Sequence, residues 1–224
     1  MKTLNSVRLE GFVETCRIVG QVEGKTVAKL SVITLHPKDA DPPAEVPQAS
    51  LRYEKIRHMA RVVAAGKTAA LLGSIEERLK DGVPGESFFP CRVEGCLCSE
   101  GMENFVHVPA GGFTLVEKVP TVDNNEARIT GKVASVSYTD RTAKLSVQTA
   151  QGTVSVFILK GSDIAAWNSV AEGRIAKGDA VSLSGPLLSG EYTDGSRRVC
   201  ASVVTPHVLS KLELKKEKTR GQSL

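Results

Sequence analysis

The sequence predicts an all-β protein made of two consecutive copies of one barrel-shaped unit. Short sequence blocks occur twice in the same order, and within these blocks apolar and polar residues mostly alternate with a period of two. Such alternation is typical of strands with one buried and one solvated face. A third observation, one helical pattern in each copy, indicates how the strands are grouped.

Three pairs of matched blocks carry the repeat. VRLEGFV at 7–13 returns as ARITGKV at 127–133, AKLSV at 28–32 returns at 143–147, and VEGCLCS at 93–99 has its counterpart in LSGPLLS at 183–189. Three pairs in one order indicate an internal duplication. The glycines at the same place in both first strands, Gly11 and Gly131, suit a bend where a sheet curls into a barrel.

Each copy has its helical pattern between the third and fourth strands. In the first copy the pattern runs from Thr68 to Lys80, with an inward stripe of Leu71, Leu72, Ile75 and Leu79. In the second copy Ser162 or Asp163 is expected to cap a helix with inward residues Ile164, Trp167, Ala171 and Ile175. Five strands with a helix between the third and fourth match the OB-fold, a small partly open barrel. We therefore expect two tandem OB-fold barrels.

The turn-rich stretch Pro120–Asn125 is the expected boundary between the two copies. We expect a first OB-fold domain at 1–120, a second at 121–210 and a basic tail at 211–224. The first domain contains a proline-rich loop at 36–50 that the second copy lacks. Long loops in compact domains are usually functional or disordered.

Composition excludes several classes of protein. Charged residues make up 24% and hydrophobic residues 41%, the balance of an ordinary globular protein, and the net charge of +4 is a mild basic bias. No apolar stretch is long enough for a membrane helix, so we expect no membrane partner. Five cysteines without secretory context indicate reduced thiols in the cytoplasm.

Two stretches of the first copy resemble the bacterial single-stranded-DNA-binding protein family. They are the third strand with the following turn, Arg61–Ala69, and the helix end, Glu77–Gly82. The first strand, Val7–Val13, and the second, Thr26–Val32, are also similar to that family's opening. The resemblance implies single-stranded DNA binding in replication or recombination. Since single-barrel relatives assemble as tetramers, it also implies a homodimer with four barrels.

The chain departs from the family in two respects. Ala64 and Ala65 stand where bulky binding residues are expected, and the chain ends in a basic stretch where the family has an acidic tail. These departures favour an accessory or mobile-element protein. They also leave open an alternative, an OB-fold protein-interaction or architectural module with little affinity for nucleic acid. RNA is a further possible ligand.

Single-strand binding needs cations for phosphates and flat rings for bases. The ring candidates are Phe12 and Phe157 on outward strand positions and Tyr138 and Tyr192 at hairpin tips, whereas Trp167 is expected in the core. Phe12 and Phe157 are also compatible with a barrel or subunit contact, and the tyrosines are equally compatible with plain exposed turns. The cationic candidates of the first copy are a basic arm of Arg52, Tyr53, Lys55, Arg57, His58 and Arg61, together with Lys67. Those of the second copy are Arg128, Lys132, Lys144, Lys160, Arg197 and Arg198.

Neither a metal site nor catalysis is predicted. Cys91, Cys96 and Cys98 lack the paired spacing and histidine partners of structural zinc, and Cys96 and Cys98 share one side of a strand. Gly66 and Lys67 lack the earlier glycine of a phosphate-binding loop. We expect a non-enzymatic protein without a cofactor that binds single-stranded DNA independently of its sequence.

Overall fold

The first half of the chain forms barrel one. The computed structural model describes residues 2–37, 53–81, 89–100, 103–117, 124–161, 164–194 and 197–213. Barrel one contains β1 (Leu4–Val22), β2 (Lys25–Pro37), β3 (Tyr53–Ala64), α1 (Gly66–Lys80), β4 (Phe89–Glu100), β5 (Glu103–Val108) and β6 (Phe113–Leu115). Most of the predicted proline-rich loop, residues 38–50, lies outside the described residues.

The second half forms barrel two with the same element order. It contains β7 (Asn124–Tyr138), β8 (Thr142–Thr149), β9 (Gly152–Leu159), α2 (Ile164–Ala171), β10 (Ala180–Gly185), β11 (Leu187–Asp194), β12 (Arg197–Val204) and β13 (Val208–Lys211). Pro186 separates β10 from β11, which together correspond to β4, because proline has no N–H for a strand ladder. Strand β13 includes Lys211, the first residue of the predicted tail, and residues 214–224 lie outside the described part.

Each barrel closes because its first strand is long enough to pair with two neighbours. In barrel one the N-terminal half of β1 pairs with β4 and its C-terminal half pairs with β2. Strand β3 then joins β2 to β5, which runs parallel to it. A Cβ at Gly11 would collide with the carbonyl oxygen of Ile33, and a Cβ at Gly131 with that of Gln148. Both glycines therefore permit the close approach of strands that the curled sheet requires.

The two barrels are joined by their first strands. Strand β1 pairs antiparallel with β7 from Leu4 opposite Thr130 to Glu10 opposite Asn124. Val7 and Ala127, which are equivalent in the repeat, lie opposite each other at the centre of this ladder. The pairing therefore has local two-fold symmetry, and it places both barrels in one continuous 13-stranded sheet. The prediction of two tandem OB-fold barrels is confirmed.

The helices cover the cores of the barrels differently. In α1 Leu72 and Ile75 are buried while Leu71 and Leu79 pack partly against the core, as predicted. In α2 the buried residues are Ala166 and Val170, so the predicted inward stripe is wrong.

The prediction failed because α2 is short. It ends at Ala171, two residues before Gly173, which has φ +72°. Ile164 at its start is 61% exposed, and Ile175 is buried but lies beyond the helix. Trp167 packs partly against the core, while Ser162 and Asp163 lie outside the described residues. Among the described residues, none of the helices has the length and apolarity needed to cross a bilayer.

Candidate nucleic-acid interface

Three cations line up across the outer face of barrel one. Arg17 of β1 lies opposite Lys29 of β2, and Lys29 lies opposite Arg61 of β3. We call these three residues the cationic row. Because adjacent strands are about 4.8 Å apart, the three positions span roughly 10 Å across the sheet. Arg17 and Lys29 are exposed, and within the described part of the chain neither has a carboxylate at ion-pair distance.

An aromatic ring lies at the end of the cationic row. The guanidinium carbon of Arg61 is 4.3 Å from the centroid of the Phe105 ring. Phe105 belongs to β5, and His107, two residues further along the same strand, lies opposite Arg61. Rings and guanidinium planes are the surfaces on which unpaired bases stack. The row and Phe105 therefore bring phosphate-binding charge and a stacking surface together on one face.

The structure divides the predicted basic arm. Residues Lys55, Arg57 and Arg61 point outward along β3, where Lys55 and Arg57 are exposed and Arg61 is half-buried. The Arg57 Nη2 donates to Glu14 Oε1 at 2.7 Å, and Ser31 also donates to Glu14 at 2.8 Å. The Arg57 guanidinium thereby lowers the pKa of the Glu14 carboxyl, and the carboxylate in turn neutralises much of the Arg57 charge.

His58 does not belong to the arm. It is fully buried in barrel one, and its Nε2 is hydrogen-bonded to Thr34 Oγ1 at 2.8 Å. Burial lowers the pKa of His58 to about 3, so the ring is neutral at physiological pH. Its inclusion was wrong because residues on a strand alternate between faces. Arg52 lies outside the described residues, as does the side chain of Tyr53.

Barrel two has a sparser version of the same face. Lys144 of β8 lies opposite Ser137 on one side and Phe157 on the other, at the positions that match the cationic row. Lys144 is exposed and Phe157 is half-buried. Lys132 is exposed on the same face, opposite Gln148. A serine and a phenylalanine thus occupy the positions that carry two arginines in barrel one.

Two other candidates of barrel two, Tyr138 and Arg128, are less suited to strand binding. Tyr138 is 56% exposed, but it pairs with the inward-facing Ala143, so it lies on the other side of β7 from Lys144. Arg128 pairs with Ser6 and Ser184 in the N-terminal half of β7, and its Nε lies 2.8 Å from Glu126. Arg128 and Lys132 are four residues apart on the same side of β7, but the Arg128 charge is compensated by Glu126.

The remaining candidates are dispersed over the molecule. Lys160 Nζ is 4.2 Å from the ring centroid of Trp167, whose buried Nε1 has no acceptor among the described residues. Lys67 is exposed in the first turn of α1, and Phe12 is half-buried on β1 opposite Ile33. The backbones of Tyr192, Arg197 and Arg198 lie on the β11–β12 hairpin, and their side chains lie outside the described part.

Sequence reasoning missed Arg17, Lys29 and Phe105. Lys29 could have been found, because it holds the same place in the repeated AKLSV block as Lys144, which was selected. The expectation that Ala64 and Ala65 replace bulky binding residues also changes. Ala64 is fully buried, so its small side chain removes nothing from the outer face, although Ala65 is exposed. In the described ranges, no three histidine, cysteine or acidic side chains cluster in a way that could hold a metal ion.

The chain is similar to solved structures along nearly its whole length. The single-stranded DNA binding protein from Thermus aquaticus matches 99% of this chain and 98% of its own, with a TM-score of 0.68 and 17% identity. A deletion and substitution variant of the same protein matches 97% of this chain and 98% of its own, with a TM-score of 0.64 and 19% identity. No protein-family model matches the sequence, and no curated protein matches it significantly. The chain therefore shares the tandem OB fold of a bacterial single-stranded DNA binding protein.

Proposed function

We propose that this protein binds single-stranded DNA without reading its sequence. The observation that carries the proposal is the cationic row of Arg17, Lys29 and Arg61, with the Phe105 ring at its end. The fold is also that of a solved protein named for single-stranded DNA binding. Together they supply the scaffold, the charge and the stacking surface that such binding needs.

The chemistry of the face supports contact with the backbone rather than recognition of base edges. Arginine and lysine side chains neutralise phosphates and release counterions, which is independent of sequence. Stacking on a ring or guanidinium plane is also tolerant of sequence, because every base has a π-face. Stacking favours an unpaired strand, whose bases are accessible, over a duplex.

The predicted residues contribute unequally to the proposed site. The exposed or half-buried groups on the outer strand faces are expected to contact the strand; these are Phe12, Lys55, Arg61, Lys132, Lys144 and Phe157. Arg57 and Arg128 contribute less, because Glu14 and Glu126 compensate their charges. Lys67, in the first turn of α1, and Lys160, directly after β9, are proposed as additional phosphate contacts outside the outer strand faces.

The assembly and biological role are part of the same proposal. We expect a homodimer that presents four barrels, with an accessory role in replication or recombination or in a mobile element, in the cytoplasm. RNA is the competing ligand, and an oligo-rU competition distinguishes it from DNA. A light-scattering mass with and without oligo-dT tests the dimer.

The proposal is tested by fluorescence polarisation with labelled oligo-dT over a salt series. Binding should weaken linearly on a log–log plot. The Arg17→Ala/Lys29→Ala variant should reduce the steepness of that plot by about 1.4, since each lost phosphate contact on a single strand is worth about 0.7. The control is Lys2→Ala/Lys177→Ala, which removes the same charge from exposed positions outside the outer strand faces.

The outcomes separate the hypotheses. An unchanged slope in the control and a shallower slope in the cationic-row variant support the proposed interface. Equal effects in both variants would show that only net charge matters, which contradicts it. No binding of the wild-type protein even at low salt would instead favour the protein-interaction or architectural module.

A further inference from the structure

Two thiols lie side by side next to the proposed interface. The Sγ atoms of Cys96 and Cys98, two residues apart on β4, are 3.8 Å from each other. Both cysteines are free and only partly buried. By contrast, Cys16 and Cys91 are buried in barrel one. Cys96 and Cys98 are therefore an accessible thiol pair.

The two sulfurs are close enough to bond only if the backbone of β4 changes locally. Alternate residues of an extended strand point to the same face, and their Cα atoms are about 6.6–6.8 Å apart. That separation is at the upper end of the range that disulfides bridge, roughly 4.4–6.8 Å. A disulfide also needs Cβ atoms about 3.5–4.5 Å apart, which is closer than alternate residues of a regular strand, so a bond between Cys96 and Cys98 requires β4 to contract locally. A disulfide formed at this limit is expected to be labile and reversible.

The pair also faces the end of the cationic row. Cys96 lies opposite His107 and Cys98 lies opposite Phe105 in the β4–β5 ladder. Phe105 is the ring beneath the Arg61 guanidinium. A contraction of β4 between the two cysteines would therefore displace their partners on β5, Phe105 among them.

We propose that Cys96 and Cys98 form a reversible redox site whose oxidation to an intrastrand disulfide weakens strand binding on barrel one. The co-reactant is a low-molecular-weight disulfide such as oxidised glutathione. One cysteine thiolate attacks the small disulfide and releases one small thiol; the second thiolate attacks the resulting mixed disulfide and releases another. The two protons of Cys96 and Cys98 end on the two released thiols, so the protein loses two electrons and the oxidant gains them.

The surroundings of Cys96 affect the rate of this exchange. Burial and the neighbouring Cys98 raise the pKa of Cys96 to about 11. Because the thiolate is the nucleophile, exchange should be slow at neutral pH and faster as the pH rises. This pH dependence is a second signature of the site.

The first test is peptide mapping by mass spectrometry on a Cys200→Ser background, since the Cys200 side chain lies outside the described part of the structure. After treatment with oxidised glutathione, the peptide containing Cys96 and Cys98 should lose two hydrogens, while Cys16 and Cys91 stay reduced. The Cys96→Ser control should stop at the mixed disulfide on Cys98. Failure of the folded protein to form the intrastrand bond, or a disulfide joining two chains instead, would overturn the proposal.

The second test measures function and rests on the proposed DNA binding. Oxidised protein should bind oligo-dT at least about fivefold more weakly than reduced protein, the loss expected when one stacking surface is displaced. Reduction with a dithiol reagent should restore binding, and the Cys96→Ser/Cys98→Ser variant, which can form neither the intrastrand bond nor a mixed disulfide there, should bind equally with or without oxidant. Equal affinities of the two redox forms would refute the coupling. If even the reduced protein does not bind, the proposed function fails while the mass-spectrometric result still stands.

Discussion

Asn5 and Asn125 hold equivalent positions in the two barrels and make the same pair of hydrogen bonds. The Asn5 amide donates to the carbonyl oxygen of Leu97 at 2.8 Å and accepts from its N–H at 2.9 Å. Asn125 does the same with Leu187, at 2.6 and 2.9 Å. The ladder between the first and fourth strands of the barrel ends before this point. Each asparagine side chain therefore bonds the leucine backbone groups that would otherwise pair with the first strand. The two copies therefore share a buried pair of side-chain hydrogen bonds as well as the apolar pattern.

Replacing either asparagine by alanine should destabilise the protein. The change leaves one N–H and one C=O of the partner leucine buried without a partner, which costs about 1–3 kcal/mol. Chemical denaturation should show a lower unfolding midpoint for Asn5→Ala and for Asn125→Ala. The exposed Gln21→Ala is the control and should stay within about 0.5 kcal/mol of the wild type. Wild-type stability in both asparagine variants would show that water satisfies the leucine backbone.

The duplication and the barrel fold could be predicted because both follow from local patterns. Alternation along a strand shows which side chains face inward, and repeated blocks such as AKLSV show which strands correspond. The cationic row could not be predicted in the same way. Arg17, Lys29 and Arg61 are far apart in the chain, and only the register of β1, β2 and β3 places them opposite one another.

Charge compensation was equally invisible in the sequence. Glu14 lies 43 residues from Arg57, and a bulge in β1 between Val13 and Thr15 sets its place on the outer face. The ion pair therefore depends on a local irregularity that no periodic pattern signals. The burial of His58 could have been predicted from the sequence, because His58 alternates with the outward-facing Arg57 on β3.

His58 should make the protein less stable in mild acid. The pKa of His58 is about 3 in the folded protein, against an ordinary value of 6.5 that applies to the unfolded chain. Between about pH 3 and pH 6.5 the unfolded chain therefore binds a proton that the folded chain does not. The unfolding free energy should thus fall as the pH drops below about 6.5, by up to about 1.4 kcal/mol per pH unit. Between pH 7 and pH 5 the loss is about 2 kcal/mol, measurable by urea unfolding at the two pH values.

The His58→Gln variant isolates this contribution. Glutamine keeps a hydrogen-bonding group for Thr34 but does not titrate, so the variant should lose less stability between pH 7 and pH 5 than the wild type. A wild-type pH dependence in His58→Gln would assign the acid sensitivity to other groups. The comparison uses the change with pH within each protein, so a constant packing defect in the variant does not affect it.

Gly131→Ala should be strongly destabilising, whereas Gly161→Ala should be tolerated. A methyl group at Gly131 would collide with the backbone carbonyl of Gln148 on the neighbouring strand, and the backbone cannot move without opening the barrel. At Gly161 the same methyl group meets nothing within 4 Å. Thermal unfolding should show a loss of about 2 kcal/mol or more for Gly131→Ala and little change for Gly161→Ala. Similar midpoints in the two variants would show that β7 and β8 can separate at this position.

The two barrels should contribute differently to strand binding. Barrel one carries three cations in the row where barrel two has Ser137, Lys144 and Phe157. Two double variants with the same loss of charge test this difference, Arg17→Ala/Lys29→Ala in barrel one and Lys132→Ala/Lys144→Ala in barrel two. In the oligo-dT salt series, the barrel-one variant should reduce the slope by about 1.4. The barrel-two variant should reduce the slope by less. Lys132 lies opposite Gln148, which is four residues from Lys144 along β8, and the two lysines lack a third cation between them.

Phe157 gives the complementary measurement. Phe157→Ala should weaken oligo-dT binding by about 1 kcal/mol or more while leaving the salt slope unchanged, because a stacked base releases no counterions. Lys144→Ala, directly opposite on β8, should change the slope instead. If Phe157→Ala binds like the wild type, the ring of barrel two does not stack on a base and instead covers a contact between barrels or subunits.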